Sequence, residues 1–273
     1  MAVASPAPPA PDPRPLVKLD RVGIRFRDGA MALQDISLEI GEHDFISLLG
    51  PSGCGKSTAL RLLAGLAPAT SGKLTWAAHR TLGASRTDRE LAVVFREPTL
   101  MPWATAFDNV FLPLRLSGMT RDQAGETVRD ALAMVGMAKF SAAHPHELSG
   151  GMKMRVAIAR ALVTQPRLLL MDEPFAALDA MTRSKLDRDL LALWKEHRFT
   201  IIFATHSVHE SVCLSNRIVV MAPRPGRVVQ ELRNDEPYPR HASDFLVSNR
   251  YTEQVKAVQR VLRTTIESTR VDH

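Results

Sequence analysis

Eight residues constrain this chain more than any other stretch. Gly50-Pro51-Ser52-Gly53-Cys54-Gly55-Lys56-Ser57 fits G-x-x-x-x-G-K-[ST], directly after a compact apolar run, FISLL, and directly before a helix-forming segment, KSTALRLLAGL. Glycines at such a strand-to-helix turn let successive backbone N–H groups point into one concavity. The helix that follows adds about half a positive charge at its N-terminus. That geometry suits a chain of phosphates: Lys56 reaches the β- and γ-phosphates, Ser57 ligates Mg²⁺, and Thr58 adds a hydroxyl near the α-phosphate. Cys54 occupies a free position of the motif and has no chemical role of its own. A glycine-rich turn that binds nothing is the weaker reading, because the motif sits between the two elements it requires.

The order of elements around this loop gives the fold class. From Leu16 to Ile40 the sequence alternates in short β-like runs, LVKLDRVGIRF and ISLEI. After FISLL, helices and strands take turns: LAVVF, RLLLMD and TIIFATH read as buried strands, and MKMRVAIARALV and MTRSKLDRDLLALWKEH as helices. Such alternation means an α/β fold with a mostly parallel sheet and helices on its faces. Residues 1–15 read as a disordered Ala/Pro-rich tail without the basic and apolar regions of a signal peptide. Residues 16–232 form the main domain, with a helical insertion at about 98–150. Residues 233–273 form a C-terminal extension with helical periodicity in YTEQVKAVQRVL.

Composition removes other classes. No uncharged apolar run reaches the about 18 residues a membrane-spanning helix needs; the best, from Phe45 to Gly55, is bounded by Asp44 and Lys56. The net charge of +6 raises the question of a polyanionic partner, yet no two Lys/Arg residues are adjacent, which disfavours a nucleic-acid face. The two cysteines, Cys54 and Cys213, are isolated, as expected of a reducing compartment.

Three further motifs narrow the chemistry. Leu168-Leu169-Leu170-Met171-Asp172 is a buried strand ending in an acid, with Glu173 next. Asp172 fits a Mg²⁺ partner and Glu173 a base for the attacking water; a capping pair for the next helix is the alternative. Leu148-Ser149-Gly150-Gly151-Met152 opens a helix and offers a second phosphate cradle, or else a plain N-cap at Ser149.

Together these motifs resemble ABC-type ATPases over roughly residues 16–232. The resemblance implies a P-loop NTPase (RecA-like) core with an N-terminal antiparallel β subdomain and an inserted helical subdomain. It implies ATP and Mg²⁺ as ligands, and a head-to-tail homodimer in which Ser149, Gly150 and Gly151 face the phosphate loop of the other copy. Phe26 matches the aromatic that stacks on adenine, with a core aromatic as the alternative. Ala177-Leu178-Asp179 matches the loop that contacts the partner subunit, and His206 the switch histidine that senses the γ-phosphate. More narrowly, FREPTLMPWATAFDNV, LSGGM and Pro223-Arg224-Pro225-Gly226-Arg227 look like the ATPases of nitrate, sulfonate and taurine importers. That likeness implies separate transmembrane permease subunits, an extracytoplasmic solute-binding protein acting indirectly, no nucleic acid, and a peripheral place on the cytoplasmic face of the cell membrane. Its relatives serve different solutes, pyrimidine precursors of thiamine among them. Pro102 and Trp103 fit either a groove for a permease helix or the core.

Departures from the family pattern bear on mechanism. Ser207 stands where an acid is common and Met154 where glutamine is common, and neither carries an assigned role. Arg96 stands where the family usually has glutamine. A guanidinium has five donors and no acceptor, so it cannot copy a carbonyl that ligates Mg²⁺ or water. It is left to contact phosphate or to pair with Glu97 or Asp172. The alternative function is therefore a non-transport or regulatory ABC ATPase of low hydrolysis. The hypothesis generated by Arg96 is that nucleotide binds normally while hydrolysis depends unusually on the permease. Arg96→Gln is expected to change the turnover of the purified subunit and its coupling to transport; unchanged turnover and unchanged coupling would refute it.

Overall fold

The computed structural model describes residues 15–77, 91–238, 240 and 243–271, so the expected tail lies outside the described residues but for Pro15. Its centre is a six-stranded sheet in the order β5-β6-β7-β3-β8-β9. The strands are β3 (Phe45–Leu49), β5 (Leu91–Val94), β6 (Leu168–Asp172), β7 (Thr200–Thr205), β8 (Arg217–Ala222) and β9 (Arg227–Arg233). The first five run parallel and β9 closes the edge antiparallel. The middle strands are apolar throughout because both faces are covered. Phe45, Leu169, Met171, Ile201 and Phe203 face one cluster. Ile46, Leu48, Leu168, Leu170, Ile202 and Ala204 face the other. Each fully buried side chain of this size is worth about 1.5–3 kcal/mol.

Different elements cover the two faces. One receives α1 (Lys56–Leu63) and the antiparallel sheet β2-β1-β4, built from β1 (Val17–Arg25), β2 (Met31–Ile40) and β4 (Ser71–Trp76). The other receives α4 (Gly150–Leu162) and α5 (Ala180–His197). Between β5 and α4 come α2 (Ala106–Leu116) and α3 (Arg121–Met134), each opened by a threonine cap, Thr105 and Thr120. Fully buried Asn109 of α2 ties down the preceding loop, its amide donating to the Met101, Ala104 and Thr105 carbonyls at 3.0–3.2 Å. Trp103 on that loop is 77% exposed, which excludes the core reading.

At the far edge, α6 (Val208–Leu214), α7 (Ser243–Leu246) and α8 (Asn249–Val271) complete the chain. Val255 and Val258 of α8 pack with Leu49, Val212, Ile218 and Val220. Arg240 is buried and fastens this region, donating to the carbonyls of Ser215, Glu236 and Asn234 and stacking on Tyr238.

Where α5 meets α6, two carboxyl groups are withdrawn from water, Glu210 buried and Asp187 in part. Burial, with Glu210 nearby, pushes Asp187 up to about 8 against the partial offset of Arg183, and burial also raises Glu210. The unfolded Asp187 titrates near pH 4. Between about pH 4 and pH 8 the folded chain therefore keeps a proton that the unfolded chain has lost. Stability from this group is present in full below pH 4 and falls as pH rises through that window. Asp187→Asn is expected to flatten this slope, raising Tm at pH 8.5 by about 3 °C, or ~1 kcal/mol. Parallel melting curves of both proteins would refute it.

Candidate functional site

The carboxyl ends of β3, β6 and β7 meet at one edge of the sheet, where open α/β folds place their ligands. Leu49 pairs with Thr205 and Asp172 with Ala204, so residues following three separate strands arrive together. After β3 the chain turns through Gly53 and Gly55, both at positive φ. A Cβ on Gly55 would lie 2.6 Å from Leu33 Cδ2, so only glycine fits there.

Lys56 follows and is 4% exposed. Its ammonium donates to the carbonyls of Gly50 at 2.8 Å and Pro51 at 3.2 Å, and lies 3.4 Å from Glu173 Oε1. The other oxygen of Glu173, Oε2, is 3.4 Å from His206 Nδ1. Glu173 holds a left-handed backbone, φ 46°, with its N–H donating to Ala204 O at 3.0 Å. Such a conformation costs about 1 kcal/mol or more and persists only where the surroundings enforce it. The Ser57 hydroxyl donates to Asp172 Oδ1 at 2.8 Å.

This hydroxyl–carboxylate pair is the right donor set for Mg²⁺. Among the described residues no group of three or more His, Cys, Asp or Glu could hold a metal by itself. Mg²⁺ suits such a place because it is commonly held by one or two protein oxygens, with water and substrate phosphates supplying the rest.

Lys56, Ser57, Asp172 and Glu173 border a cleft of ≈ 360 Å³, whereas His206 is not among the residues that line it. Ser52, Gly53, Gly55 and Thr58 line it; Gly50, Pro51 and Cys54 do not. The Cys54 thiol points into the core, where burial pushes its pKa up and leaves it inert. Phe26 stands at the rim, 51% exposed, which excludes the core-aromatic reading. Arg96 lines the cleft and, among the described residues, pairs with neither Glu97 nor Asp172.

Met31, Ala32, Arg224 and Gly226 also line the cleft, and motif spacing alone did not assign them to it. The segment Pro223–Gly226 reaches the loop because Gly226 N–H donates to Ala32 O at 3.1 Å and Gln34 N–H to Gly226 O at 2.8 Å. The Pro-Arg-Pro-Gly run was visible in the sequence, but its pairing with β2 was not.

Ser149, Gly150, Gly151 and Asp179 lie apart from the cleft. Ser149 caps α4, its hydroxyl accepting from Met152 N–H at 3.3 Å. Asp179 caps α5, accepting from the N–H groups of Met181 at 3.1 Å and Thr182 at 3.0 Å; hydrogen bonding from the Thr182 side chain, with these N–H groups, lowers its pKa. A Cβ on Gly151 would come within 2.6 Å of Thr182, so the two helix N-termini stand side by side. One chain thus carries a phosphate loop and, elsewhere, a second surface of backbone donors.

Residues 33–176 match the family model described as ABC transporter. The chain belongs to the ABC transporter family. It is an ATP-binding, ATP-hydrolysing subunit of that family. Relatives include an uncharacterized ABC transporter ATP-binding protein of Methanocaldococcus jannaschii, 46% identical over 209 residues and 77% of each chain. A taurine import ATP-binding protein of Roseobacter denitrificans is 42% identical over 80% of this chain and 81% of its own length. An aliphatic sulfonates import ATP-binding protein of Bacillus cereus is 40% identical over 76% of this chain and 80% of its own. A dimeric ATP-binding cassette in a post-hydrolysis state with ADP and Pi superposes with a TM-score of 0.70 at 31% identity, covering 81% of this chain and 100% of that one.

The docking of Gly226 is testable. A Cβ there would lie 2.5 Å from Cys54 O and 2.8 Å from Ala32 O, both backbone atoms. Gly226→Ala is expected to cost about 2 kcal/mol, read as a Tm lower by about 6 °C. An unchanged Tm would show that the Pro223–Gly226 segment does not press on the loop.

Proposed function

We propose that this chain is the ATPase of an importer for taurine, another sulfonate or a similar small solute, acting as a homodimer on the cytoplasmic face of the membrane beneath separate permease subunits. The importer class is supported by the names of relatives at 40–42% identity. Among the described residues no helix is long and apolar enough to cross a membrane, so a solute path would be built by other chains. The dimeric structural relative supports two copies acting together.

One observation carries the mechanism: Glu173 lies between Lys56 and His206, beside the Ser57–Asp172 pair. Phe26 stacks on the adenine at the rim, and the loop amides from Ser52 to Thr58 receive the phosphates. Lys56 leaves the carbonyls of Gly50 and Pro51 to meet the β- and γ-phosphate oxygens. Ser57 and Asp172 would hold Mg²⁺, which supplies positive charge to the phosphate oxygens when bound. Glu173 accepts a proton from the water whose oxygen forms the new bond to the γ-phosphorus, while the bond to the bridging oxygen breaks and ADP leaves. His206 donates toward the γ-phosphate. Ser149, Gly150 and Gly151 of the second copy close over the same phosphate, and Asp179 contacts the opposite chain.

Glu173→Gln is expected to retain ATP binding while lowering kcat at least about a hundredfold, whereas Lys56→Ala is expected to abolish binding, as read by a fluorescent ATP analogue. A Glu173→Gln complex that still turns over at the wild-type rate overturns the assignment of the base. Taurine or alkanesulfonates with their binding protein should stimulate the ATPase of the permease complex in proteoliposomes; stimulation by an unrelated solute alone would overturn the substrate class.

A further inference from the structure

The buried carboxyl groups between α5 and α6 lie behind His206, and they are not isolated. Glu210, in the first turn of α6, is 8% exposed. Its Oε2 accepts a hydrogen bond from the hydroxyl of Thr205, the residue before His206. The same hydroxyl accepts from the N–H of Ser207, the residue after His206, at 2.9 Å, and Ser207 Oγ accepts from Glu210 N–H at 3.2 Å. The main chain of His206 is thus clamped on both sides by a closed ring of hydrogen bonds that begins and ends on Glu210.

The other oxygen of Glu210, Oε1, lies 3.7 Å from Arg183 Nε. Arg183 Nη2 donates in turn to the carbonyl of Leu178 at 3.0 Å. Leu178 precedes Asp179 and stands 3.4 Å from where a Cβ on Gly150 would sit. One guanidinium therefore bridges the Ala177–Asp179 loop, next to the α4 N-terminus, and the glutamate that fixes His206. Beneath it Asp187 Oδ1 is buried without a hydrogen-bond partner, and burial holds that carboxyl protonated at neutral pH. Arg183 is then left to pair with Glu210. Losing that partner is costly for a group as buried as Glu210.

We propose that Arg183 and Glu210 are positioning residues that transmit the placement of the Asp179 loop to His206, so that pressure on that loop from a second copy of the chain reaches the end of β7. The inference rests on the ATPase reading for its consequence and on geometry alone for the link. When Leu178 O moves, Arg183 must move or lose one of its two partners. If it releases Glu210, the ring around His206 loses its anchor, and the imidazole shifts relative to Glu173.

The test uses the full chain with ¹³C-labelled histidine, the His206 ring signal being assigned through His206→Gln. Arg183→Ala is expected to move the His206 resonance and to lower kcat about tenfold, a coupling of ordinary size, with KM for ATP within twofold. Glu210→Gln, which keeps an acceptor for Thr205, is expected to act in the same direction, and the double variant to be no worse than Arg183→Ala. Arg183→Lys is expected to restore part of kcat. A His206 signal unmoved in both single variants overturns the link, as do losses of kcat that multiply in the double variant or that follow Tm alone. Should Arg183→Ala fail to fold, Glu210→Gln carries the same readouts. A resonance that moves in a protein with no ATPase activity, even with its permease, would overturn the ATPase reading and leave the link standing.

Discussion

A lysine ammonium that is 4% exposed is costly unless oxygens surround it. Lys56 meets this condition with two carbonyls of its own loop and one oxygen of Glu173, and those partners come from different strands. The loop follows β3 while Glu173 follows β6, and β7 lies between them in the sheet. The ammonium can therefore be satisfied only if three parallel strands hold one register. That register in turn requires both faces of the sheet to be covered, by α1 and the antiparallel sheet on one side and by α4 and α5 on the other. Packing across the core and charge at the edge are parts of one constraint.

Much of this was legible from residue order. FISLL, RLLLMD and TIIFATH are apolar without alternation because they are covered on both sides; the first leads into the phosphate loop, and the others end in Asp172 and His206. The less legible parts depend on partners distant in sequence. β4 was not assigned: Ser71, Gly72, Lys73 and Thr75 are exposed, and its strand character comes from pairing with β1. β8 and β9 were also passed over; Arg217 to Ala222 is apolar enough, but nothing local places it beside β3. The helix α4 begins at Gly150, ahead of the run MKMRVAIARALV. Gly150 and Gly151 are poor helix formers, yet the Ser149 cap and the closeness of Thr182 favour them there.

The separation of Ser149 and Asp179 from the cleft has a physical reading of its own. The donors at the start of α4 do not line the cleft beside the phosphate loop of the same chain, yet they are presented on glycines that let another backbone approach. A phosphate clamped from both sides needs a second copy to supply the missing side. On the proposed function, one chain is half of each of two sites, which fits the dimeric form of its structural relative. A signal between the halves would pass through whatever joins the Asp179 loop to the strand ends, where Arg183, Asp187, Thr205 and Glu210 gather.

Four residues at this edge break local rules. Glu173 and Arg224 take left-handed backbones without being glycine, Lys56 is buried, and Phe26 is exposed. Each would be a defect if the chain were judged by folding alone. The strain at Glu173 keeps its carboxylate near both Lys56 and His206; a relaxed backbone there would direct the side chain elsewhere. The exposed Phe26 offers a flat apolar face that water solvates poorly and that a purine covers well. Arg224, held between two prolines beside a glycine wedged under Cys54 and Ala32, brings a cation to the cleft wall at the end of a braced segment. Bracing of this kind shifts the cost of ordering from the moment of binding to the moment of folding, where the core of the sheet offsets it.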